Sequence, residues 1–583
     1  DIYTGRVLWE ASIPGVGSFF DETLHQPGAN GTGSNFVSRP DGIYVANDRV
    51  CLVLDPATGK TLRTIEIPKP IDGGPDWVLS YANVEGDYFI GGVAPKPKVN
   101  PALAPPKKPS SKKDDDIADG DGPVVARKGP ITSVRTVGSK RLWVADRRTG
   151  RVIWSAEATD EFRHNGIAIG GGRLYAIDTP TTPVPTSLLG AVKAATQAST
   201  KTTVKAPGRI IAFDLATGVR RWTHNKAFGT WLSYSAEHDV LMEAGRYARD
   251  TLKDEPKGMR AFRAATGEAL WHDPLAVGPA MIRGRWVLKE KNAADLITGE
   301  PIEMTDPITG LSVEWAWARN YGCNTPVASQ NLMTFRSGAA GFYDLARCGG
   351  TGNFGGFRSS CTNNLLVAGG LLVAPDYTRT CICGYPIQTS VAMVPDEAVE
   401  MWTFAASDSS PKAPVQRVGV NLGAPGDRVA DDGTLWLEYP GVGGKSPKLD
   451  IKLEGLEKEL RYVRRHASEL AGPLPWVAGS GVANFKSIEI TVDDEAEKKK
   501  RQATYTVRLV LATTADGTSP ADVLVQGKPV ERGVKVESSK PGVQSSLVRE
   551  YRGVVVGKSI RIDLQTPKGG TPPLVGGVEI IRQ

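Results

Sequence analysis

The chain has 583 residues, with 65 glycines, 41 prolines and a formal net charge of +6. Its length exceeds what one compact core usually holds, so at least two domains are expected. So small a charge over so long a chain leaves no nucleic-acid footprint, and the apolar run "LLVAGGLLVAP" is too short to span a bilayer.

Taken in chain order, the predicted elements are short apolar runs bounded by turn residues, such as "RLWVAD", "RLYAID" and "IIAFD". Helix-type patterns are scarce, and the class this implies is all-β. The first nine residues, "DIYTGRVLW", recur as "DPATGKTLR" from Asp55, "DRRTGRVIW" from Asp146, "DLATGVRRW" from Asp214 and "RAATGEALW" from Arg263. Weaker copies start at Asp295 and Asp306. The pattern is Asp-x-x-Thr-Gly, three residues, then Trp. It predicts a hairpin in which the Asp carboxylate accepts bonds from turn amides and Gly supplies a positive φ. The Trp then sits on the next strand, free to pack against a neighbouring sheet. The chain opens at the end of such a unit, which predicts a longer precursor trimmed upstream.

These repeats resemble the quinoprotein-type, PQQ-like β-propeller family with its tryptophan-docking motif. That family includes quinoprotein alcohol dehydrogenases and BamB, a non-enzymatic outer-membrane assembly lipoprotein. The segment from Arg319 to Val394 is similar to the form found in large planctomycete-type envelope proteins. The resemblance implies a propeller over residues 1–415 with about eight blades, seven being the alternative count. Two insertions interrupt it, near 94–122 and 179–208. The first is Pro-rich, then basic, then acidic, and reads as a solvated loop.

Propellers bind ligands on loops entering the innermost strands. The polar candidates there are His164, Asn165, Arg319, Asn320, Arg336, Arg358, Asp376, Tyr377 and Arg379. Convergent Arg, Asp, Tyr and His would suit an anionic or polyhydroxylated ligand, or acid–base work on a sugar. The alternative is that they brace bulky turns.

Five of the six cysteines lie between Cys323 and Cys383. Cys381 and Cys383, in "DYTRTCICGYP", are one residue apart. That is not zinc spacing, haem attachment or a thioredoxin-like pair. Quinoprotein dehydrogenases stack their quinone on a disulfide between adjacent cysteines, which Cys-Ile-Cys does not supply. No cofactor is expected, tightly bound quinone (PQQ) included, and a structural calcium stays open. A disulfide from Cys361 to Cys381 or Cys383 is expected, with Cys323 or Cys348 available to another partner, which implies an oxidising compartment. Cys51, isolated in "RVCLVLD", reads as a buried thiol.

After Trp402 the pattern changes to alternating strands at sandwich spacing: "ADDGTLWLEYP", "YTVRLVLAT", "DVLVQGKPV" and "PPLVGGVEII". Over residues 416–583 their order resembles malectin-like carbohydrate-binding modules, a β-sandwich of jelly-roll type. The resemblance implies sugar contacts among Asp431, Asp432, Trp436, Tyr439 and Trp476. On the residues alone, Trp436 and Trp476 fit a core equally well, and the sandwich would then brace the propeller. No metal site is expected, since the six histidines are scattered.

The function expected is that of an exported periplasmic, cell-envelope or extracellular protein that works through binding and assembly. Its partners would be a polysaccharide or other glycan, other envelope proteins or the missing N-terminal portion. The alternative is a carbohydrate-active oxidoreductase or lyase with its site in the propeller funnel.

Overall fold

The structure is a computed structural model. It describes residues 3–4, 6–14, 36–69, 71, 73–74, 76–96, 138–179, 208–229, 231–245, 257–277, 281–320, 322, 326–355, 357, 365–374, 391–396, 400–514, 517–538 and 543–583. Most of both insertions, together with Arg358, Asp376, Tyr377, Arg379, Cys323, Cys361, Cys381 and Cys383, lie outside the described residues. The fold is nearly all β. It divides into two compact units, residues 1–290 with 294–300, and residues 291–293 with 301–583. The boundary expected at 415/416 falls inside the second unit.

The first unit is built of four-stranded antiparallel meanders. Phe36–Arg39, Gly42–Asn47, Val50–Leu54 and Thr61–Glu66 form one sheet in sequence order. Trp231–Ser235, Val240–Ala244, Met259–Arg263 and Glu268–Asp273 form another. Two more are fused into a seven-stranded sheet by the 19-residue strand Val152–Gly170. Its first half pairs with Gly138–Asp146 and its second half with Arg173–Thr179, across a register shift between Phe162 and Ile167. One strand therefore closes a blade and opens the next.

Apolar side chains of successive sheets meet face to face. Tyr44 and Val53 of the first sheet share a cluster with Leu79, Phe89 and Trp143 of the next. Tyr175 and Ile177 likewise meet Leu232, Leu241 and Phe262. Central strands such as Val240–Ala244 are buried on both faces, which is why their sequences read as apolar runs and not as strict alternation. Stacked meanders of this kind are the blades of a propeller-type fold. Cys51 is fully buried among them, and burial pushes its thiol up to about 12.

The repeat explains how neighbouring blades lock. In the Asp55, Asp146, Asp295 and Asp306 turns the Asp carboxylate holds two amides, as Asp295 Oδ1 does for Ile297 and Thr298, both at 2.9 Å. The Gly that follows takes φ near +70°, +72° at Gly218 and +77° at Gly299. The Trp of one repeat lies on the turn of the next. Its indole N–H donates to the carbonyl just after the turn's first residue: Trp9 to Pro56, Trp154 to Leu215, Trp222 to Ala264 and Trp271 to Leu296, all at 2.8–2.9 Å. A Cβ on Gly218, Gly267 or Gly299 would stand only 2.5–2.7 Å from that ring, so the close approach requires glycine. Where Arg63 replaces the Trp, its guanidinium donates to the Arg148 carbonyl at 3.2 Å and no ring covers Gly150.

In the second unit the ribbon Glu303–Thr305 and Ser312–Glu314 carries the Asp306 turn. A five-stranded sheet follows, of Val327–Ala328, Leu332–Ser337, Ala339–Asp344, Thr351–Asn353 and Thr403–Phe404. One further copy of the repeat turn appears here. Asp344 holds the amides of Ala346 and Arg347, and Cys348, at φ +54°, occupies the glycine position with its N–H on the Asp344 carbonyl.

Residues from 417 onward form two sheets around one core. The larger runs Arg428–Val429, Leu435–Tyr439, Arg417–Leu422, Leu574–Arg582, Ala503–Ala512, Gln544–Val556, Leu470–Ala471. The smaller runs Ile451–Gly455, Phe485–Thr491, Ser559–Gln565, Ala521–Val525, Lys528–Val534. Val418, Leu509 and Val578 of the first meet Ile488, Val523 and Ile562 of the second in one cluster. The first and last strands of this segment pair with each other, tying its ends together. Ile308, from the last repeat turn, joins the same cluster, and its carbonyl accepts the N–H of Gln416 at 2.7 Å.

Candidate ligand-binding site

The funnel candidates fall into separate groups. In the first unit His164 is 4% exposed, and its Nε2 lies 2.8 Å from Ser139 Oγ, itself 2.9 Å from Ser80 Oγ. Its ring packs on Tyr81 at 5.1 Å between centroids. Asn165 beside it is half-buried. Burial drives the His164 imidazole down to about 3 from an ordinary 6.5, so it is neutral and locked in a polar chain inside the sheet.

This has a measurable consequence. The unfolded chain protonates His164 where the folded chain does not. Its contribution to stability is complete above its ordinary value and is lost as pH falls toward the folded value, at about 1.4 kcal/mol per pH unit. Urea midpoints of the first unit should therefore fall between about pH 7 and about pH 5, and fall less in His164→Gln. Identical pH dependence in the two proteins would refute this.

In the second unit Arg319, Asn320 and Arg336 are brought together along the strand Leu332–Ser337. The Arg319 guanidinium lies 5.9 Å from the Phe335 ring centroid, and the Asn320 N–H donates to Ser337 Oγ at 2.9 Å. Arg336 is buried, its Nε on the Gly338 carbonyl at 3.4 Å. A Cβ on Gly322 would strike the Arg336 backbone, so the segment passes there only as glycine. These contacts brace a loop against a strand.

The sandwich candidates divide differently. Trp436 is only 1% exposed, pressed against Gly419 on the outer face of the large sheet, and offers no open ring to a sugar. Tyr439 shares the inward face of its strand with Leu435 and Leu437 and donates its hydroxyl to the Ile451 carbonyl at 3.3 Å. Asp432 pairs with Arg417 and caps the Thr434 N–H at 3.1 Å. All three make contacts within the fold.

Trp476 and Asp431 remain, and the structure adds partners that the sequence reading missed. Trp476 stands in the short helix Pro475–Ala478, half-buried above Trp436, with centroids 5.7 Å apart and the rings nearly perpendicular. Trp402 approaches at 6.2 Å, also edge to face. The Arg428 guanidinium lies 4.5 Å from the Trp476 centroid, within cation–π reach. Burial lowers the Arg428 pKa, offset by Asp431 and Glu400. Glu400 accepts the Trp402 indole N–H at 2.7 Å and the Ala467 N–H at 3.0 Å. Asp431, with 94% of its side chain exposed, pairs with Arg347 at 3.2 Å. The result is a ledge of two partly exposed indoles, with guanidinium and carboxylate groups around them. Such a surface stacks on an apolar ring face and bonds hydroxyls at its rim. The available signal was the lone Trp in "VEMWTF", which reads as part of a closing strand.

Among the described residues no group of three or more His, Cys, Asp or Glu side chains could hold a metal ion, and no helix is long and apolar enough to cross a membrane. No family model matches the chain, and no curated relative matches it. Among solved structures it is similar to BamB from Moraxella catarrhalis, at 13% identity over 62% of this chain and 80% of that one, with a TM-score of 0.31. It is also similar to a europium-containing methanol dehydrogenase, at 10% identity over 62% and 67% with a TM-score of 0.30. An exo-beta-1,3-galactanase from Phanerochaete chrysosporium aligns over 95% and 96%, at 8% identity and a TM-score of 0.23. Scores this low leave the fold to be argued from the sheets themselves.

Proposed function

We propose that the chain is an exported envelope or cell-surface protein that binds a glycan on a propeller-type scaffold. The observation that carries the reading is the Trp402–Trp476 ledge with Arg428, Glu400 and Asp431 at its rim. Pairs of indoles with planar donors and acceptors suit pyranose rings, whose faces are apolar and whose edges are hydroxylated. Binding is favoured over catalysis because His164 is neutral and buried, Arg319 lies against Phe335 and Arg336 is buried with its Nε on the Gly338 carbonyl. The malectin-like resemblance supports a carbohydrate partner, and a disulfide from Cys361 to Cys381 or Cys383 is proposed with it, which would require an oxidising compartment.

The test is a titration of the full chain with a panel of neutral and acidic oligosaccharides, read by tryptophan fluorescence and calorimetry. Affinity should lie in the micromolar to millimolar range, and Trp402→Ala or Trp476→Ala should each weaken it about tenfold, or about 1.4 kcal/mol. Tyr439→Ala should leave affinity unchanged. A panel with no binding, or one whose binding survives both Trp substitutions, would refute the assignment.

A further inference from the structure

Inside the second unit, a cleft of about 490 Å³ opens beside the last repeat ribbon. That volume lies within the range of small-molecule sites, roughly 300–1,000 Å³. One side of it is apolar. Leu311 and Val313 come from the ribbon, Tyr343 from the adjoining sheet and Leu435 from the sandwich. The ribbon has two strands only, and Leu311 and Val313 are exposed on it, 47% and 39%.

The polar side of the cleft is acidic. Its charged lining residues are Asp306, Glu314 and Asp427 against Lys412. Asp306 spends Oδ1 on the turn amides of Ile308 and Thr309, and Glu314 Oε1 accepts from Asn292. Asp427 is different. It is 2% exposed, and its Oδ1 accepts from the Glu438 N–H at 2.9 Å and from Ser446 Oγ at 2.8 Å. Its Oδ2 has no hydrogen-bond partner among the described residues. Buried carboxylate oxygens are normally partnered, so this one marks a position where a donor is missing. Burial also lifts the carboxyl to about 7, a shift that a cation seated against it would reverse.

We propose that this cleft binds a small molecule with an apolar body and a cationic amine head, the body against Leu311, Val313 and Tyr343 and the amine toward Asp427. The site is separate from the Trp402–Trp476 ledge and stands or falls independently of glycan binding.

Fluorescence titration of the full chain with dansylcadaverine, which joins an environment-sensitive ring system to an alkylammonium, tests it. Dansylglycine, with the same fluorophore and a carboxylate in place of the amine, is the matched control. Dansylcadaverine should bind saturably with a blue shift, and dansylglycine at least about tenfold more weakly. Leu311→Arg, at an exposed ribbon position, should abolish binding by filling the cleft. Asp427→Asn should weaken dansylcadaverine about tenfold and leave dansylglycine unchanged. Should Asp427→Asn fail to fold, Leu311→Arg and the probe pair still decide. No saturable signal from dansylcadaverine, equal affinity for the two probes, or undiminished binding to Leu311→Arg would overturn the proposal.

Discussion

Glu579→Ala should lower the stability of the second unit by about 3 kcal/mol, the lower end of the cost of breaking a buried ion pair. Glu579 is 2% exposed on the strand Leu574–Arg582, facing away from Val578 and Ile580, which enter the core. Its Oε1 accepts from Thr434 Oγ at 2.7 Å and from both Nε and a terminal nitrogen of Arg417, at 3.1 and 2.9 Å. Its Oε2 accepts from Arg508 at 3.0 Å, and Arg508 continues to Glu550 at 2.7 Å. The ladder thus crosses four neighbouring strands with one buried carboxylate at its centre. Removing that carboxylate leaves two guanidiniums and a hydroxyl facing each other. The guanidiniums are about one-third exposed, so water recovers part of the loss and the expected cost stays below the fully buried limit. Arg552→Ala, at the exposed end of the ladder, should cost less than about 0.5 kcal/mol. Urea unfolding followed by tryptophan fluorescence measures both. A Glu579→Ala cost no larger than that of Arg552→Ala would refute a central role for the carboxylate.

The repeat was legible because its physics is local: an Asp that holds turn amides, a Gly that takes a positive φ, and a Trp at fixed offset. The turn from Asp344 to Cys348 escaped because cysteine fills the glycine position, so neither Thr nor Gly marks it. The shared strand Val152–Gly170 escaped because its Asn165–Gly166 pair reads as a turn, whereas the chain runs through it as strand with only a register shift between Phe162 and Ile167. In the sandwich, Tyr439 was expected among the sugar contacts, yet it alternates in phase with Leu435 and Leu437 and faces the core with them. Trp436 is out of phase with them, on the opposite face of the strand. What covers it is a second layer including Trp476, some forty positions later, which no local pattern discloses. The ledge is the same kind of case, since Trp402 and Trp476 meet only through tertiary packing.

Trp222→Ala should cost the first unit about 3 kcal/mol, the low end for a large aromatic because the ring is only partly buried. The indole donates to the Ala264 carbonyl at 2.9 Å, lies over Gly267, and stands 5.9 Å from Tyr175 and 6.3 Å from Phe262 between centroids. Trp222→Phe keeps much of the contact and loses the hydrogen bond, so about 1 kcal/mol is expected. The docking contribution can be isolated from the glycine side. Gly150 and Gly267 have nearly the same backbone, φ +72° and +76°, and differ in what faces them. A Cβ at Gly150 meets only an Ile65 methyl at 3.8 Å, an ordinary contact, whereas one at Gly267 meets the Trp222 ring at 2.6 Å. Gly150→Ala should then cost only the left-handed backbone penalty, about 1–2 kcal/mol. Gly267→Ala carries that penalty together with displacement of the ring, at least about 1 kcal/mol more. In the background of Trp222→Ala that excess should vanish, because the two changes act on one contact. Equal costs at the two glycines, or an excess that persists without the indole, would mean that the tryptophan does not hold adjacent blades together.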